Sequence, residues 1–525
     1  MPRLIFNDDG SNFLYSWDNL CGDDVRTYLQ RLAGTQVDMV AYCVAFGGYV
    51  TYYNSRVAER IGSGFGLTDK VKSARVVDNL RRLDDEPGGY IGCVFETLRE
   101  MGLPVVASFR MNDAHMSSDP VGTVAGRFWM NHPEWRLGEP YGYYGSCLDY
   151  RQPAVREYLR QLVLEVIELY PDIDGIELDG LRSPFFFPEG EGERSAPIMT
   201  ELIRQIRNDL DCASRSDAGT RYLLRVNVPR DPALSLETGM DVAAWEAEGL
   251  VDGISPGCYN TDFQPDVAAW KEVLSRTPVQ PYINCSPQSG QYLTLEEYRG
   301  VSANAWNAGA DGVYLFNFPC LDELSFLQPL PADRPPFPAA DFGPVGWHDS
   351  VQRTHQALKE VGDAEGLRHA DKRFLFCVEK KTQYRHYEPS EVWIERLGPS
   401  SHAARAPQDD KPGGSLSFDC YEDYAAAKEI TLEFKLVGVS LRDEFAFTVN
   451  GHEVGEAQVQ RRYSSSGRDA RIHSIPLEPY SLYTVKLEAG WMVSGANTLT
   501  VAFTERNPAL LGRVQLREVA VEVRY

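Results

Sequence analysis

The 525-residue sequence predicts an α/β fold, a (β/α)8 TIM barrel, followed by an all-β sandwich. Through about residue 370, short segments rich in apolar and β-branched residues alternate with segments of helical periodicity, which is typical of βα units around a parallel sheet. From Lys372 onward the pattern changes to alternating strands separated by turns, with a hairpin signal at Asn450–Gly451. We therefore predict a barrel at residues 1–371 and a jelly-roll-like β-sandwich at residues 372–525.

Eight segments are predicted as barrel strands, and most are followed by a stretch able to form a helix. The strands are Leu4–Asn7, Val37–Val44, Leu103–Arg110, Ile173–Asp179, Tyr222–Val228, Val251–Ser255, Val279–Asn284 and Gly312–Phe318. Helices are predicted at Ala154–Leu169 and Ser195–Leu210, and the last barrel helix at Asp349–Val361, after a proline-rich stretch. The longest insertions follow the second, third and fourth strands, on the face where such barrels carry their active sites.

Composition and charge narrow the classes of function. The chain has 52 Lys and Arg against 75 Asp and Glu, a net charge of −23, which disfavours nucleic acid and anionic lipid as partners. We expect a soluble protein, because no run approaches the roughly 18 consecutive apolar residues of a membrane span. The first residues, MPRLIFNDDG, have no signal-like pattern, which favours a cytoplasmic location, or a secreted or periplasmic one if a leader was removed. Assembly into a homo-oligomer stays open.

The fourth predicted strand, in the sequence DIDGIELD, carries the clearest chemical signal. Ile176 and Leu178 share one parity and are expected to face the helices, which turns Glu177 and Asp179 into the barrel interior. Asp179 then lies at the carboxyl end of its strand, where barrel enzymes carry catalytic residues. Asp179 is therefore the candidate catalytic carboxylate.

The neighbouring strands repeat the same two-residue spacing, as Arg110-x-Asn112 and Arg225-x-Asn227. If the three strands are in register, they form two polar layers. The lower layer would contain Arg110, Glu177 and Arg225, and the upper layer would contain Asn112, Asp179 and Asn227. Two guanidinium groups would compensate Glu177 and keep Asp179 ionised. For the lower layer, a purely structural ion network is the favoured interpretation.

Hydrolysis of a glycosidic bond is one chemistry open to an inward carboxylate, and it needs a second carboxyl group. The fifth strand ends in Asn227, so the second group has to come from a loop. The candidates are Asp262, Asp113, Glu189, Glu191 and Glu193. We select Asp262, which follows the sixth strand, although a turn aspartate in Asn-Thr-Asp explains this residue equally well.

Further polar and aromatic residues are predicted to contact a substrate. The substrate-binding candidates are Asn112, Asp113, His115, Glu177, Arg182, Asn227, Tyr259 and Asn284. An aspartate with a histidine two residues later, as in RMNDAH, could begin a metal site, but nothing in the sequence completes one. We therefore expect no metal and no cofactor, and we interpret His115 as a substrate contact or a loop residue. The three phenylalanines at 185–187 are expected to form the core of their own loop.

The segment DGIELDGLRSPFFF, with TGMDVAAWEAEGLVDGISPG and the CY that follows, resembles the glycoside-hydrolase-like TIM-barrel family over about residues 1–370. This resemblance implies a glycoside hydrolase acting on a carbohydrate substrate, an oligo- or polysaccharide, with retention of configuration. GIELD is also similar to a strand of the α-amylase superfamily, which implies the role of nucleophile for Asp179. Those enzymes have an arginine in place of Glu177 and a glutamate acid in place of Asn227. Asp262 as the acid is suggested only by analogy with α-galactosidase-like barrels.

The segments FTVNGHEV and SGANTLTVAF resemble the jelly-roll modules that accompany many glycosidases, and we expect this domain to have a packing role. Two rival functions stay open. A non-catalytic saccharide-binding protein on a degenerate barrel would explain the missing acid on the fifth strand, and it predicts binding without turnover. A metal-dependent hydrolase predicts bound metal and loss of activity with a chelator.

Overall fold

The computed structural model describes the chain in fifteen ranges. They are residues 2–11, 13–14, 18–46, 50–62, 71–115, 124–139, 141–213, 221–257, 266–285, 293–318, 355–377, 392–394, 413–464, 479–510 and 514–525. These residues form two compact units. The first contains the described residues up to 285 and those from 309 to 362, and the second contains residues 293–308 and those from 363 onward. The domain boundary at residue 371 stays a prediction.

The first unit alternates strands and helices along the chain. Its strands are β1 (Leu4–Asp8), β2 (Met39–Phe46), β3 (Val50–Thr51), β4 (Glu59–Arg60), β5 (Val105–Arg110), β6 (Gly175–Asp179), β7 (Leu223–Pro229), β8 (Gly253–Gly257), β9 (Tyr282–Asn284) and β10 (Val313–Phe316). Its helices are α1 (Gly22–Gln30), α2 (Val71–Leu83), α3 (Gly89–Glu100), α4 (Arg127–Asn131), α5 (Pro153–Leu169), α6 (Gly192–Cys212), α7 (Pro232–Glu237), α8 (Val242–Glu248) and α9 (Val267–Val273). None of the described helices has the length and apolar character of a membrane span.

Eight of these strands pair in parallel in the order β8-β7-β6-β5-β2-β1-β10-β9. A bridge between Ile254 in β8 and Val279, just before β9, brings the two ends of the sheet together. The sheet is therefore a nearly closed barrel, and the predicted (β/α)8 fold is confirmed. Of the predicted last helix, residues 355–357 are helical and residues 349–354 lie outside the described ranges.

Helix α5 shows how the sequence produces these elements. Pro153 occupies its first turn, where a missing N–H group leaves no hydrogen bond unmade. Val155, Leu159, Leu162 and Val166 recur every three or four residues and are all buried. The helix therefore has one apolar face, which its burial against the rest of the unit stabilises.

The register of β5 differs from the prediction. Ser108 pairs with Glu177, and Arg110 pairs with Asp179, so Arg110 lies one layer higher than expected and Asn112 lies beyond the strand. A displacement by two residues keeps the same side chains on the inner face, so the alternation in sequence does not reveal it. The stagger of neighbouring strands in a barrel is a property of the closed sheet. For β7 the predicted register, Glu177 with Arg225 and Asp179 with Asn227, is confirmed.

The second unit contains two antiparallel sheets. It comprises α10 (Leu295–Asn307), β11 (Lys372–Cys377), β12 (Val392–Ile394), β13 (Gly413–Cys420), β14 (Glu429–Val437), β15 (Glu444–Val449), β16 (His452–Glu453), β17 (Val459–Ser464), β18 (Tyr480–Leu487), β19 (Gly495–Glu505) and β20 (Val514–Arg524). One sheet has the order β11-β20-β14-β18-β17 with β12 beside β20, and the other has the order β13-β19-β15-β16. The two antiparallel sheets confirm the predicted β domain.

The hairpin between β15 and β16 forms where the sequence predicts it. Asn450 and Gly451 connect the strands with φ angles of 49° and 81°. Positive φ angles at both positions are what a tight hairpin turn requires, and Asn and Gly are the residues that tolerate them.

Replacement of Gly175 by alanine is expected to destabilise the barrel. A Cβ atom at this position in β6 would lie 2.3 Å from the backbone oxygen of Leu223 and 2.6 Å from its backbone nitrogen, so β6 and β7 would have to move apart. We expect the free energy of unfolding, measured by urea denaturation, to fall by about 1–3 kcal/mol. Gly490→Ala is the control, because no atom lies within 4 Å of its added Cβ. An unchanged Gly175→Ala protein would contradict the close approach of the two strands.

Candidate active site

Charged side chains converge where the barrel strands end. Asp9 follows β1, Arg110 ends β5, Asp113 lies just beyond β5, Asp179 ends β6 and Arg182 follows β6, and all five are buried. The carboxyl ends of parallel barrel strands share one rim, which brings these residues together although they are far apart in sequence. We call these five residues the rim cluster.

Asp9 is the member of the rim cluster that sequence reasoning missed. Its Oδ1 lies 2.9 Å from Nη2 of Arg110, and its Oδ2 accepts hydrogen bonds from Nη2 of Arg182 at 3.1 Å and Nδ2 of Asn317 at 2.8 Å. Burial acts to raise the pKa of Asp9, but the two guanidinium groups outweigh it and the pKa is lowered. Asp9 is therefore ionised. The run Asn-Asp-Asp at the end of β1 was the available signal in the sequence.

Tyrosine hydroxyl groups hold the backbone of the β1 loop. Tyr52 donates to the carbonyl oxygen of Asp9 at 3.1 Å, and Tyr90 donates to that of Gly10 at 2.9 Å. Gly10 has a φ angle of 76°, and a Cβ atom there would lie 2.5 Å from the carbonyl oxygen of Cys43. The loop is thus packed closely against β2, which fixes the position of Asp9.

Arg110 joins two carboxylates across the rim cluster. Its Nη1 lies 2.7 Å from Oδ2 of Asp113, its Nη2 contacts Asp9, and its guanidinium group lies 4.1 Å from the ring centroid of Phe46. Arg110 therefore does not pair with Glu177, and the predicted contact between these two residues is wrong. The two-residue shift of β5 is the reason, because it places Arg110 level with Asp179.

Asp113 orients His115. The fully buried Asp113 carboxylate accepts a hydrogen bond from the His115 backbone N–H at 3.0 Å, and the same oxygen contacts Nδ1 of the imidazole. Burial acts to raise the pKa of Asp113, but His115 and Arg110 lower it well below its ordinary value. Because an ionised carboxylate only accepts, the proton in this contact belongs to Nδ1 of His115. Among the described residues, no group of three or more His, Cys, Asp and Glu is placed to hold a metal ion.

Asn112 joins two loops. Its Nδ2 donates to the carbonyl oxygens of Leu148 at 2.9 Å and Phe185 at 2.8 Å, and its Oδ1 accepts from the backbone N–H of Leu148 at 3.0 Å. Asn112 is fully buried. The predicted upper layer has Asn112 level with Asp179, and the structure does not, because Arg110 takes that position. Phe185 is half-buried and stacks on Tyr144 with ring centroids 4.6 Å apart, whereas the two phenylalanines after it are buried, as expected for a loop core.

Asp179 lies between Arg110 and Asn227, its register partners on either side. Its Oδ1 accepts hydrogen bonds from the Leu181 backbone N–H at 3.0 Å and from Nδ2 of Asn227 at 3.4 Å. Burial raises the pKa of Asp179, and the Leu181 hydrogen bond, Arg182 and Arg110 partly offset that effect. The result is a carboxylate held at the strand end, beside two positive charges.

The layer beneath Asp179 contains Glu177, which is fully buried. Its Oε1 accepts hydrogen bonds from Oγ of Ser108 at 2.8 Å and from the hydroxyl of Tyr314 at 2.7 Å. Nη2 of Arg225 donates instead to Oε1 of Gln280 at 2.8 Å. No described cation lies within ion-pair distance of Glu177. Arg225, its register partner, acts to lower the pKa of Glu177, but burial outweighs that effect and raises it to about 7. The Arg110 part of the predicted lower layer is therefore wrong, whereas Arg225 does lie beside Glu177.

Tyr314 links the two layers, and sequence reasoning missed it. Its hydroxyl donates to Glu177 and accepts from Nδ2 of Asn227 at 3.3 Å. The available signal in the sequence was the position of Tyr314 in the segment VYLF, where the alternation of a strand turns its side chain into the barrel. For three predicted site residues the side chain is not described. Asp262 and Tyr259 lie outside the described residues, and of Asn284 only the backbone, in β9, is described.

Comparison with known proteins gives structural neighbours only. No protein-family model matches the chain, and no curated protein sequence matches it. The α-L-fucosidase isoenzyme 2 from Paenibacillus thiaminolyticus is 13% identical with a TM-score of 0.39, over 60% of this chain and 45% of that chain. A noncanonic maltogenic α-amylase from Thermotoga neapolitana is 13% identical with a TM-score of 0.34, over 94% and 98%. An α-L-fucosidase GH29 from Bacteroides thetaiotaomicron is 8% identical with a TM-score of 0.33, over 98% and 92%.

These three neighbours are glycoside hydrolases, and the chain spans less than half the length of the first one, 45%. With identities of 8–13%, no residue role passes from them to this chain. The roles of the rim cluster follow from its own geometry.

Glu177→Gln is expected to change how stability depends on pH. A pKa raised to about 7 means that the folded protein favours the neutral carboxyl. The stability that the neutral Glu177 carboxyl contributes is complete below the unfolded-state pKa, about 4.3, and is lost as the pH rises through about 7. Glutamine keeps the neutral form at every pH. Relative to the wild type, the variant should therefore gain about 2–3 kcal/mol in free energy of unfolding between pH 5 and pH 8, measured by urea denaturation. A constant difference across that range would contradict the buried, unpaired state of Glu177.

Proposed function

We propose that the chain is a glycoside hydrolase that cleaves an oligo- or polysaccharide at the carboxyl-terminal end of the barrel. The observation that carries this proposal is the position of Asp179. It is a buried carboxylate at the end of β6, bonded to Leu181 and Asn227 and flanked by Arg110 and Arg182. This is the end of the barrel where enzymes of this fold perform their chemistry.

Asp179 has the role of nucleophile or base in this proposal. The two guanidinium groups favour its ionised form, and the hydrogen bonds from Leu181 and Asn227 hold Oδ1 in one orientation. In a retaining reaction the carboxylate forms a bond to the anomeric carbon, and water then hydrolyses the intermediate. Retention is the expected outcome by analogy with the resembling family.

Asp9 and Asp113 do not suit the role of proton donor. Each contacts Arg110, and each has a lowered pKa, so each is ionised and accepts hydrogen bonds. Sequence reasoning selects Asp262 for that role, and this assignment stays a prediction.

Aromatic side chains near the rim support a carbohydrate substrate. Tyr144 and Phe185 stack on each other and are half-buried, and Asn112 holds the backbone of Phe185 next to the end of β5. Flat rings pack well on the apolar faces of sugars, and a pocket with a few placed polar groups then sets orientation.

Asp179→Asn is expected to abolish turnover while the protein stays folded. The experiment measures product release from a panel of oligosaccharides and aryl glycosides. If the wild type cleaves one of them, Asp179→Asn should lower kcat/KM at least about 10³-fold, because the amide provides neither nucleophile nor base. Asp172→Asn is the matched control, since this exposed carboxylate precedes the opposite end of β6 and should leave activity unchanged.

Two outcomes would contradict the proposal. If the wild type binds a sugar of the panel but cleaves none, the chain is a saccharide-binding protein on a glycosidase-like barrel. Full activity of Asp179→Asn would mean that another group performs the chemistry.

A further inference from the structure

The pair formed by Asp113 and His115 has the arrangement of a proton-transfer group. Asp113 is fully buried and ionised, and it fixes both the backbone and Nδ1 of His115. The His115 side chain itself is 41% exposed, so the pair has one buried end and one end toward solvent. A carboxylate that binds one imidazole nitrogen fixes the ring and its tautomer, and proton transfer then takes place at the other nitrogen.

The pair is connected to Asp179 through Arg110. Arg110 lies level with Asp179 on the neighbouring strand, and its Nη1 lies 2.7 Å from Oδ2 of Asp113. The carboxylate of Asp113 therefore stands between the guanidinium group beside Asp179 and the imidazole of His115. His115 also contributes to the lowered pKa of Asp9, so its imidazole lies near the rim cluster to which Asp179 belongs.

We propose that His115, oriented by Asp113, donates the proton to the leaving oxygen of the glycosidic bond. This inference rests on the proposed glycosidase function. As the bond between the anomeric carbon and the leaving oxygen breaks, its electron pair stays on that oxygen and takes up the proton from Nε2 of the imidazolium. The Asp179 carboxylate forms the new bond to the anomeric carbon. In the second step, attacking water returns a proton to Nε2 and releases Asp179.

Asp113 is a positioning residue in this scheme, and its ionised state stabilises the imidazolium in each cycle. His115 provides a donor from the described residues, whereas Asp262 was selected by analogy. The two assignments predict different results. If His115 is the donor, substitution of His115 makes the rate depend on the leaving group, and if Asp262 is the donor, substitution of Asp262 does so.

The test compares two aryl glycosides of a sugar that the wild type cleaves. The 2,4-dinitrophenyl group departs without protonation, and the unsubstituted phenyl group needs a proton donor. In His115→Gln we expect kcat/KM to fall about 10²–10⁴-fold for the phenyl glycoside, the usual contribution of general acid catalysis, and less than about 10-fold for the dinitrophenyl glycoside. A purely structural role of His115 would lower both rates equally.

His132→Gln is the matched control. His132 contacts Glu134 through Nδ1 at 2.9 Å, the same kind of pair, and stacks on Trp135 outside the rim cluster. It should behave like the wild type with both substrates. Circular dichroism of each variant tests its folding, and His115→Asn repeats the measurement if the glutamine variant is unfolded.

Four results would overturn the inference. His115→Gln could lose both activities equally or lose neither. Asp262→Asn could show the selective loss in place of His115→Gln, which would make Asp262 the donor while the glycosidase function stands. If the wild type cleaves no glycoside of the panel, the proposed function fails and this inference fails with it.

Discussion

The candidate site depends on the ion pairs that the Asp9 carboxylate forms with Arg110 and Arg182. Transfer of a charged group from water into a protein interior costs several kcal/mol, so each of these buried groups needs its partners. Asp9 binds both guanidinium groups, and Arg110 also binds Asp113. Because these residues lie at the ends of β1, β5 and β6, their ion pairs hold three strand ends together. Asn317, which follows β10, donates a hydrogen bond to Asp9 and so connects a fourth strand end. The position of Asp179 among them follows from this constraint.

The barrel interior has two electrostatic environments along its axis. At the rim, opposite charges stabilise the ionised carboxylates of Asp9 and Asp113. One layer below, Glu177 receives only hydroxyl hydrogen bonds, and its pKa is raised. Asp179 lies at the boundary, where burial and neighbouring guanidinium groups act in opposite directions. Carboxyl groups of one barrel can therefore have different protonation states at the same pH, as hydrolytic sites require.

Side chains outside the rim cluster provide its rigidity. Tyr52 and Tyr90 bind the backbone of the β1 loop, and Asn112 joins the loops after β5 and β6. Asn227 and Tyr314 connect Asp179 to the layer beneath it. A catalytic carboxylate needs such support, because small displacements of a reacting group lower rates strongly.

The sequence by itself determined the element types, the inner faces of β5, β6 and β7 and the place of Asp179 at a strand end, because periodicity and parity are local properties. It also determined the hairpin at Asn450–Gly451, since few residues tolerate its backbone angles. Only the tertiary structure decided the stagger of β5, which parity leaves undefined, and with it the partners of Arg110. The pairing of Asp9 with residues a hundred or more positions away, and the burial of Glu177 without an ion pair to any described residue, likewise depend on contacts that exist only when the barrel closes.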